Sequence, residues 1–372
     1  VSSIGPRAAK AHAAKTVKKL EGLAKDTLQM VKSGKNPHMS IPTRTLANVR
    51  FNQKSQVIEL KGDKQKRYFF NVGQAKRFMQ MFLVANACKE LIGVDKTTSI
   101  RDLYYMTKHT LGESRQNTFE EQEESDPIIE DLEVTVDALR EELNLFASNR
   151  GSLVGEVTLV DAGDVIDGRR MGSGGWSIPS IVEDNVIQFR KCDAKFILLV
   201  EKDAVWRRLN EDRFWKKHKC ILVTGQGQPP RGVRRLCRRM TRELKLPMYV
   251  LVDNDPWGFY IYSVLKQGSI NLAYESMRMA VPEARFIGLS SFDKEKFKLP
   301  NNVVIRMEDV DISRAKQMLS YPWFQRKEWQ REIEHMVKSG AKLEIESLSN
   351  RGISFITEEY LPKKLKDRDW LA

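Results

Sequence analysis

Three carboxylates in this 372-residue chain fall where phosphodiester chemistry needs them. Glu201 directly follows the apolar run Phe196 to Val200, and Asp253 with Asp255 follows the run Tyr249 to Val252. Short apolar runs bounded by polar residues read as buried strands of a parallel sheet. In open α/β sheets, functional groups collect at the carboxyl ends of the strands. Two such ends would therefore offer three hard oxygen ligands, with the Asp-x-Asp spacing letting both side chains face one cavity. A set of this kind suits Mg²⁺, which keeps several waters and meets substrate phosphate. Each acid also has an everyday alternative. Asp255 precedes Pro256 and Trp257, and Asp203 opens the next helical stretch, both places where a carboxylate caps a helix. Their coincidence at two strand ends favours the metal.

Two further groups could meet a nucleic acid. Arg231, Arg234, Arg235, Arg238, Arg239 and Arg242 occupy six of twelve positions. Arg231, Arg235, Arg238 and Arg242 share one helical face. Guanidinium forks match phosphate oxygens, so a DNA-binding role is expected for Arg231, Arg234, Arg235 and Arg238, with an ion-paired surface as the plainer reading. The segment Ser99 to His109 holds adjacent tyrosines, which on a helix point about 100 degrees apart. Tyr104 aligns with Ile100, Thr107 and Leu111 and reads as core. Tyr105 aligns with Arg101, Lys108 and His109, a positive setting that favours phenolate and attracts phosphate, and Lys108 is expected to join the arginines in binding DNA. Exposed tyrosines beside basic residues are common, so spacing alone does not separate a nucleophile from a surface phenol.

The elements that must carry these residues change in texture along the chain. Val17, Leu20, Ala24, Leu28 and Val31 mark an amphipathic helix over 8 to 33, ended by Gly34 and Pro37. A hairpin is expected from Val57, Ile58 and Leu60 through a turn at Lys61 to Lys66 to Tyr68, Phe69 and Phe70. Helical spacing follows in three segments, the third running from Ile128 to Phe146 behind Asp126 and Pro127. Closed by a strand at Glu156 to Asp161, these helices suit a winged-helix module. The glycine-rich segment 163 to 175 marks a boundary. Beyond it, strands at 196 to 200, 221 to 224, 249 to 252 and 286 to 289 alternate with helices, which predicts a parallel, doubly wound α/β sheet. The last 60 residues read as helices packed on that domain.

Composition sets the outer bounds. Net charge is +13, which favours a polyanionic partner. Residues 113 to 142 carry twelve acids against Arg115 and Arg140, a local net of −10, so the remainder carries +23. This acidic segment is expected to form an exposed helix. No run of about 18 apolar residues exists, so no membrane span is expected. The basic, alanine-rich N-terminus leaves a transit peptide open beside the amphipathic helix. Cys88, Cys192, Cys220 and Cys237 lack zinc spacing and read as buried thiols of a reducing compartment. No phosphate-binding G-x-x-x-x-G-K-[ST] loop occurs, so ATP hydrolysis by this chain alone is not expected.

Taken in order, four segments resemble the A-subunit family of type IIB DNA topoisomerases, which spans archaeal topoisomerase VI and the meiotic double-strand-break protein. Arg101-Asp-Leu-Tyr-Tyr105 looks like the family's cleavage motif. Val200-Glu-Lys-Asp-Ala204 and Val252-Asp-Asn-Asp-Pro-Trp-Gly258 look like the two acidic motifs of a Toprim domain, and Thr224-Gly-Gln-Gly-Gln-Pro-Pro-Arg231 is similar to another characteristic segment. The match runs across nearly the whole chain and fits the archaeal topoisomerase better than the meiotic protein.

The resemblance implies an α/β multidomain chain: an arm and small hairpin over 1–72, a winged-helix (CAP-like) domain bearing Tyr105 over 73–150, and a Toprim domain with a mainly parallel sheet over 151–372. It implies Tyr105 as the nucleophile, Arg101 in support, Mg²⁺ on Glu201, Asp253 and Asp255, and a dimer in which one protomer's tyrosine works with the other's acids. Each tyrosine would leave a 5′-phosphotyrosyl link, so that a second duplex passes, supercoils relax and linked rings separate. ATP would act only through a separate GHKL-type ATPase, the B subunit of an A2B2 complex, in the cytoplasm on the nucleoid of an archaeon. Three rivals are a Toprim nuclease using metal-activated water, a non-catalytic DNA-binding or assembly protein, and a primase-like enzyme. For the last, no cysteine cluster that could bind zinc is found.

Overall fold

In the computed structural model the backbone is described from Pro6, and the side chains from Ala13, through Ala372. Packing divides the chain into two units, residues 1–49 with 60–148 and residues 50–59 with 149–372. The expected arm and the tyrosine-bearing segment thus share the first unit.

The first unit begins with the helix Pro6–Lys32. Of its apolar stripe Leu20 is buried, whereas Leu28 and Val31 remain exposed. Strand His38–Pro42 pairs antiparallel with Lys64–Tyr68. The expected hairpin therefore does not form. Val57–Leu60 instead pairs with Val49–Asn52, in a segment whose residues 50–59 belong to the second unit, because the Asn52 carboxamide takes the backbone N–H groups of Lys54 and Ser55 and turns the chain earlier.

The helix Val72–Gly93 buries Phe78, Met81, Val84, Cys88 and Leu91. The third expected helix is shorter than its periodicity, running Ser125–Val136 and ending at Asp137 in the left-handed region. Leu145–Phe146 is a strand, parallel to Thr98–Ser99 just before the tyrosine helix.

The acidic segment is not the exposed helix expected. Asp131 lies between Arg67 at 2.6 Å and Arg44 at 2.9 Å, and Glu130 also pairs with Arg44. Glu133 is fully buried, 3.7 Å from Arg140. Its carboxylates thus hold their own unit together.

The second unit is built on a six-stranded sheet in the order Trp176–Ser177, Ser152–Gly155, Cys220–Thr224, Phe196–Val200, Met248–Leu251, Arg285–Gly288. The last four are parallel, as their helical crossovers dictate, but Ser152–Gly155 is antiparallel to both of its neighbours. The sheet is therefore mixed, not purely parallel. Its central strands are buried throughout, as continuous apolar runs require.

Val157–Asp161 does not close the helical module of the first unit. It is the middle strand of a separate antiparallel sheet, between Ile187–Cys192 and Asp164–Asp167. Late in the chain, helix Lys327–Ser339 lays Trp329 among Phe259, Tyr262, Phe286 and Phe324, with ring centroids 5.2 to 5.4 Å apart. This aromatic cluster fixes that helix against the Pro256–Gln267 helix and the sheet. Among the described residues no helix is long and apolar enough to cross a membrane.

Candidate active site

Parallel pairing brings two acids together at the carboxyl edge of the second unit's sheet. Val200 stands opposite Leu251, and the Glu201 N–H continues the ladder by donating to the Leu251 carbonyl at 3.0 Å. Glu201 and Asp253 then leave neighbouring strands side by side, and the Asp253 N–H donates to Glu201 Oε2 at 3.3 Å. Asp253 is buried. Its Oδ1 accepts from the Ile345 N–H at 2.8 Å and its Oδ2 faces Lys202 Nζ at 3.0 Å. Asp255 is the N-cap of the helix Pro256–Gln267, its Oδ1 accepting from the Gly258 N–H at 2.5 Å. Gly258 must be glycine here, since a Cβ would run into the Asp253 carbonyl.

Burial makes these charges expensive. It pushes the Glu201 carboxyl up to about 7, with the charge of Asp253 adding to the effect. Burial likewise lifts Asp253 to about 6, although the Ile345 N–H and Lys202 pull the other way. Asp255 is also raised by burial, against the Gly258 N–H and Lys342.

The three acids do not close into a cage. Among the described residues no group of three or more carboxylate, imidazole or thiolate side chains has metal-holding geometry, and Asp255 is engaged as a cap. What the sheet edge does offer is an adjacent Glu201 and Asp253 whose ionisation burial makes costly. This fits a hard cation that takes one or two carboxylates and fills its shell with water and phosphate.

Supporting residues surround this pair. The loop after Cys220–Thr224 anchors Glu201 from behind, the Gly227 N–H donating to its carbonyl at 2.9 Å. Asn254, between the two aspartates, exchanges backbone hydrogen bonds with Leu343 at 2.8 and 3.0 Å. Its carboxamide donates to Ser291 Oγ at 3.1 Å and to buried Glu332 at 3.3 Å. Glu332 also accepts from the Ser291 N–H and from Ser290 Oγ. Lys202 pairs with Glu346 at 2.7 Å and Glu344 at 3.4 Å as well as with Asp253. Sequence reasoning named none of Lys202, Asn254, Glu332, Glu344 or Glu346 for the site. Lys202 and Asn254 lie inside the two acidic motifs, whereas the other three come from more than 75 residues away with no local signal.

In the first unit, the helix Ile100–Thr107 starts at Ser99, whose hydroxyl accepts from the Asp102 N–H. Tyr104 turns inward, and its hydroxyl donates to the Glu120 carbonyl at 2.9 Å. Tyr105 turns outward and is 60% exposed, its ring edge-on to Tyr104. Arg101, one turn earlier, is exposed. Lys108 does not serve Tyr105 as expected. Its ammonium lies 2.6 Å from the Tyr104 hydroxyl and 3.0 Å from the Glu120 carbonyl, so it braces the buried tyrosine.

The arginine helix, Arg231–Glu243, is not the open phosphate-binding face expected of it. Arg231 and Arg234 both pair with fully buried Glu275, at 2.7 and 2.8 Å. Arg235 pairs with Glu183 at 2.7 Å, and Arg238 lies 3.5 Å from Glu283. Arg239 reaches Glu243 and Asp184, and donates to the Val182 and Ile187 carbonyls. The acids absent from the helix come from residues 183 to 184 and 275 to 283, beyond any local count. Arg242 is exposed.

Comparison with known proteins covers both the acidic-pair and the tyrosine-bearing segments. A family profile for the Toprim domain of the topoisomerase 6 A-subunit and Spo11 proteins matches residues 196–365, which hold the acidic pair. A second, described as "Type IIB DNA topoisomerase", matches residues 76–145, which hold Tyr105. The A subunit of type 2 DNA topoisomerase 6 from Pyrococcus abyssi is 43% identical over 364 residues, covering 95% of this chain and 94% of its own. Its counterpart from Hyperthermus butylicus is also 43% identical, covering 93% of each. The A subunit of DNA topoisomerase 6 from Arabidopsis thaliana is 36% identical over 337 residues, covering 89% of this chain and 76% of its own. With two profiles in order and full-length relatives well above 30% identity, the chain belongs to the family of type IIB DNA topoisomerases formed by the topoisomerase 6 A-subunit and Spo11 proteins.

Proposed function

We propose that the chain is the DNA-cleaving component of a type IIB topoisomerase, with Tyr105 as nucleophile and Glu201 and Asp253 as the principal metal ligands. One observation carries the reading: the exposed phenol and the buried carboxylate pair each lie inside the matching family profile, the first aimed at solvent and the second made costly to ionise by burial, a cost that a bound cation relieves.

In this mechanism the Tyr105 oxygen attacks the scissile phosphorus in line and the 3′-oxygen leaves. The 5′-phosphotyrosyl bond replaces the phosphodiester bond, so the free 3′-hydroxyl reverses the step without outside energy. Exposed Arg101 supports the attacked phosphate, its guanidinium suited to equatorial phosphoryl oxygens. Glu201 and Asp253 would hold Mg²⁺, with Asp255 adding charge from its capping position, and the ion would supply charge stabilisation at the phosphate and orientation of the 3′-oxygen. Arg231, Arg234, Arg235 and Arg238 are assigned to the fold, and Lys108 to bracing Tyr104.

The same reading extends to the assembly: a winged-helix arrangement around the tyrosine, a dimer of this chain in which the tyrosine of one copy serves the acids of the other, and ATP-driven strand passage through a GHKL-type B subunit in an A2B2 complex on the nucleoid. Incubation with supercoiled DNA, Mg²⁺, ATP and the ATPase partner tests it. The wild-type chain should become bound to DNA 5′ ends, and Tyr105→Phe should not while melting unchanged, since Tyr105 is exposed. Undiminished cutting by Tyr105→Phe, with no protein on the ends, would overturn the reading in favour of metal-activated water.

A further inference from the structure

Lys202 has more partners than its place beside Glu201 requires. Its ammonium lies 3.0 Å from Asp253 Oδ2, 2.7 Å from Glu346 and 3.4 Å from Glu344. Those two glutamates flank Ile345, which is fully buried and whose N–H binds the other oxygen of Asp253. Leu343 is hydrogen-bonded in both directions to Asn254. Residues 343 to 346 are thus docked along the Asp253-Asn254-Asp255 loop, and they present two carboxylates at a fixed offset from Asp253. Glu344 and Glu346 are about half exposed and Asp253 only 10%. Lys202 therefore spans a buried acid and two solvated ones.

The Ile345 N–H already takes one lone pair of Oδ1, which leaves Oδ2, the oxygen that faces Lys202, as the freer ligand for a divalent ion on Asp253. Two cations within about 4 Å of each other in a half-buried site repel strongly. Lys202 can yield without losing its pairing, since Glu344 and Glu346 are already within reach and a lysine stem rotates freely. Burial works against the Lys202 charge, but hydrogen bonds to Glu346 and Asp253 raise its pKa, so it stays an ammonium.

We propose that Lys202 and the divalent ion are alternative partners of Asp253: the ammonium neutralises the carboxylate until the ion enters, then passes to Glu344 and Glu346. Lys202 is in this sense a built-in counter-cation, and the two glutamates are its second seat. The inference rests on the metal reading above and adds an exchange to it.

Binding of Mn²⁺ to the purified full-length chain, counted by the loss of the free-ion paramagnetic resonance signal, tests the exchange. Lys202→Met should bind Mn²⁺ about tenfold more tightly, the size of one partly buried ion-pair coupling. It should also melt lower than wild type in EDTA and regain that loss in saturating Mn²⁺. The double substitution Glu344→Gln with Glu346→Gln should weaken Mn²⁺ binding, and by less in the Lys202→Met background. Wild-type binding with Lys202→Met unchanged or weaker would overturn the exchange alone. A wild-type chain that binds no Mn²⁺ would overturn the metal reading, and the exchange with it.

Discussion

Glu201→Gln should make the metal-free protein more stable at pH 8, the reverse of what removing a functional carboxylate from a surface would do. Burial and the neighbouring Asp253 raise the Glu201 carboxyl from 4.5 to about 7. The folded chain therefore holds that proton more tightly than the unfolded chain. Wild-type stability falls as pH rises through this window, and the full deficit is present above pH 7. A shift of this size corresponds to about 3 kcal/mol. Partial exposure of the side chain reduces it to roughly 1–3 kcal/mol.

Glutamine cannot ionise, and its carbonyl oxygen still accepts the Asp253 N–H that now reaches Glu201 Oε2. At about 2–4 °C per kcal/mol for a unit of this size, the variant should melt several degrees above wild type. Scanning calorimetry in EDTA at pH 5 and pH 8 measures this. The gap should be small at pH 5, where about a quarter of the effect is present, and full at pH 8, and Mg²⁺ should close it by stabilising wild type. A glutamine variant no more stable than wild type at pH 8 would show that burial does not make the acidic pair costly to ionise, and the argument for a cation there would lose its physical basis.

Two other substitutions separate fold from function. Glu275→Ala removes the fully buried carboxylate that Arg231 and Arg234 share and should cost about 3–5 kcal/mol in thermal or denaturant unfolding. The salt dependence of DNA binding should not change, and an altered slope would return those arginines to the DNA. Glu332→Ala removes the buried acceptor of Asn254, Ser290 and Ser291. It should lower stability by about 1–3 kcal/mol and weaken Mn²⁺ binding, whereas Glu332→Gln should change both less, because burial already favours a neutral carboxyl there.

What could be read from the sequence was whatever local periodicity decides. The 100-degree step of a helix sends Tyr104 in and Tyr105 out, and apolar runs at 196 to 200 and 249 to 252 become adjacent parallel strands ending on acids. What could not be read was set by partners distant in the chain. The arginine helix looks open until Glu183, Glu275 and Glu283 are folded onto it, and the acidic segment looks exposed until Arg44 and Arg67 arrive from the N-terminal side. Strand pairing misled for the same reason. Val57–Leu60 and Val157–Asp161 were legible as strands, but alternation does not say which neighbour a strand will choose.

On the proposed reading, Asp255 combines two jobs that geneticists would like to keep apart. Its carboxylate opens the helix that carries Phe259 and Tyr262 into the aromatic cluster, and it stands one residue from the loop's central asparagine. An alanine allele here disturbs architecture and chemistry together, so a null phenotype from it cannot be assigned to either. Asparagine and serine keep the cap while removing the charge. Alleles at this position should therefore form a graded series, with alanine the most severe, in contrast to Tyr105, where any loss of the phenol is simply off.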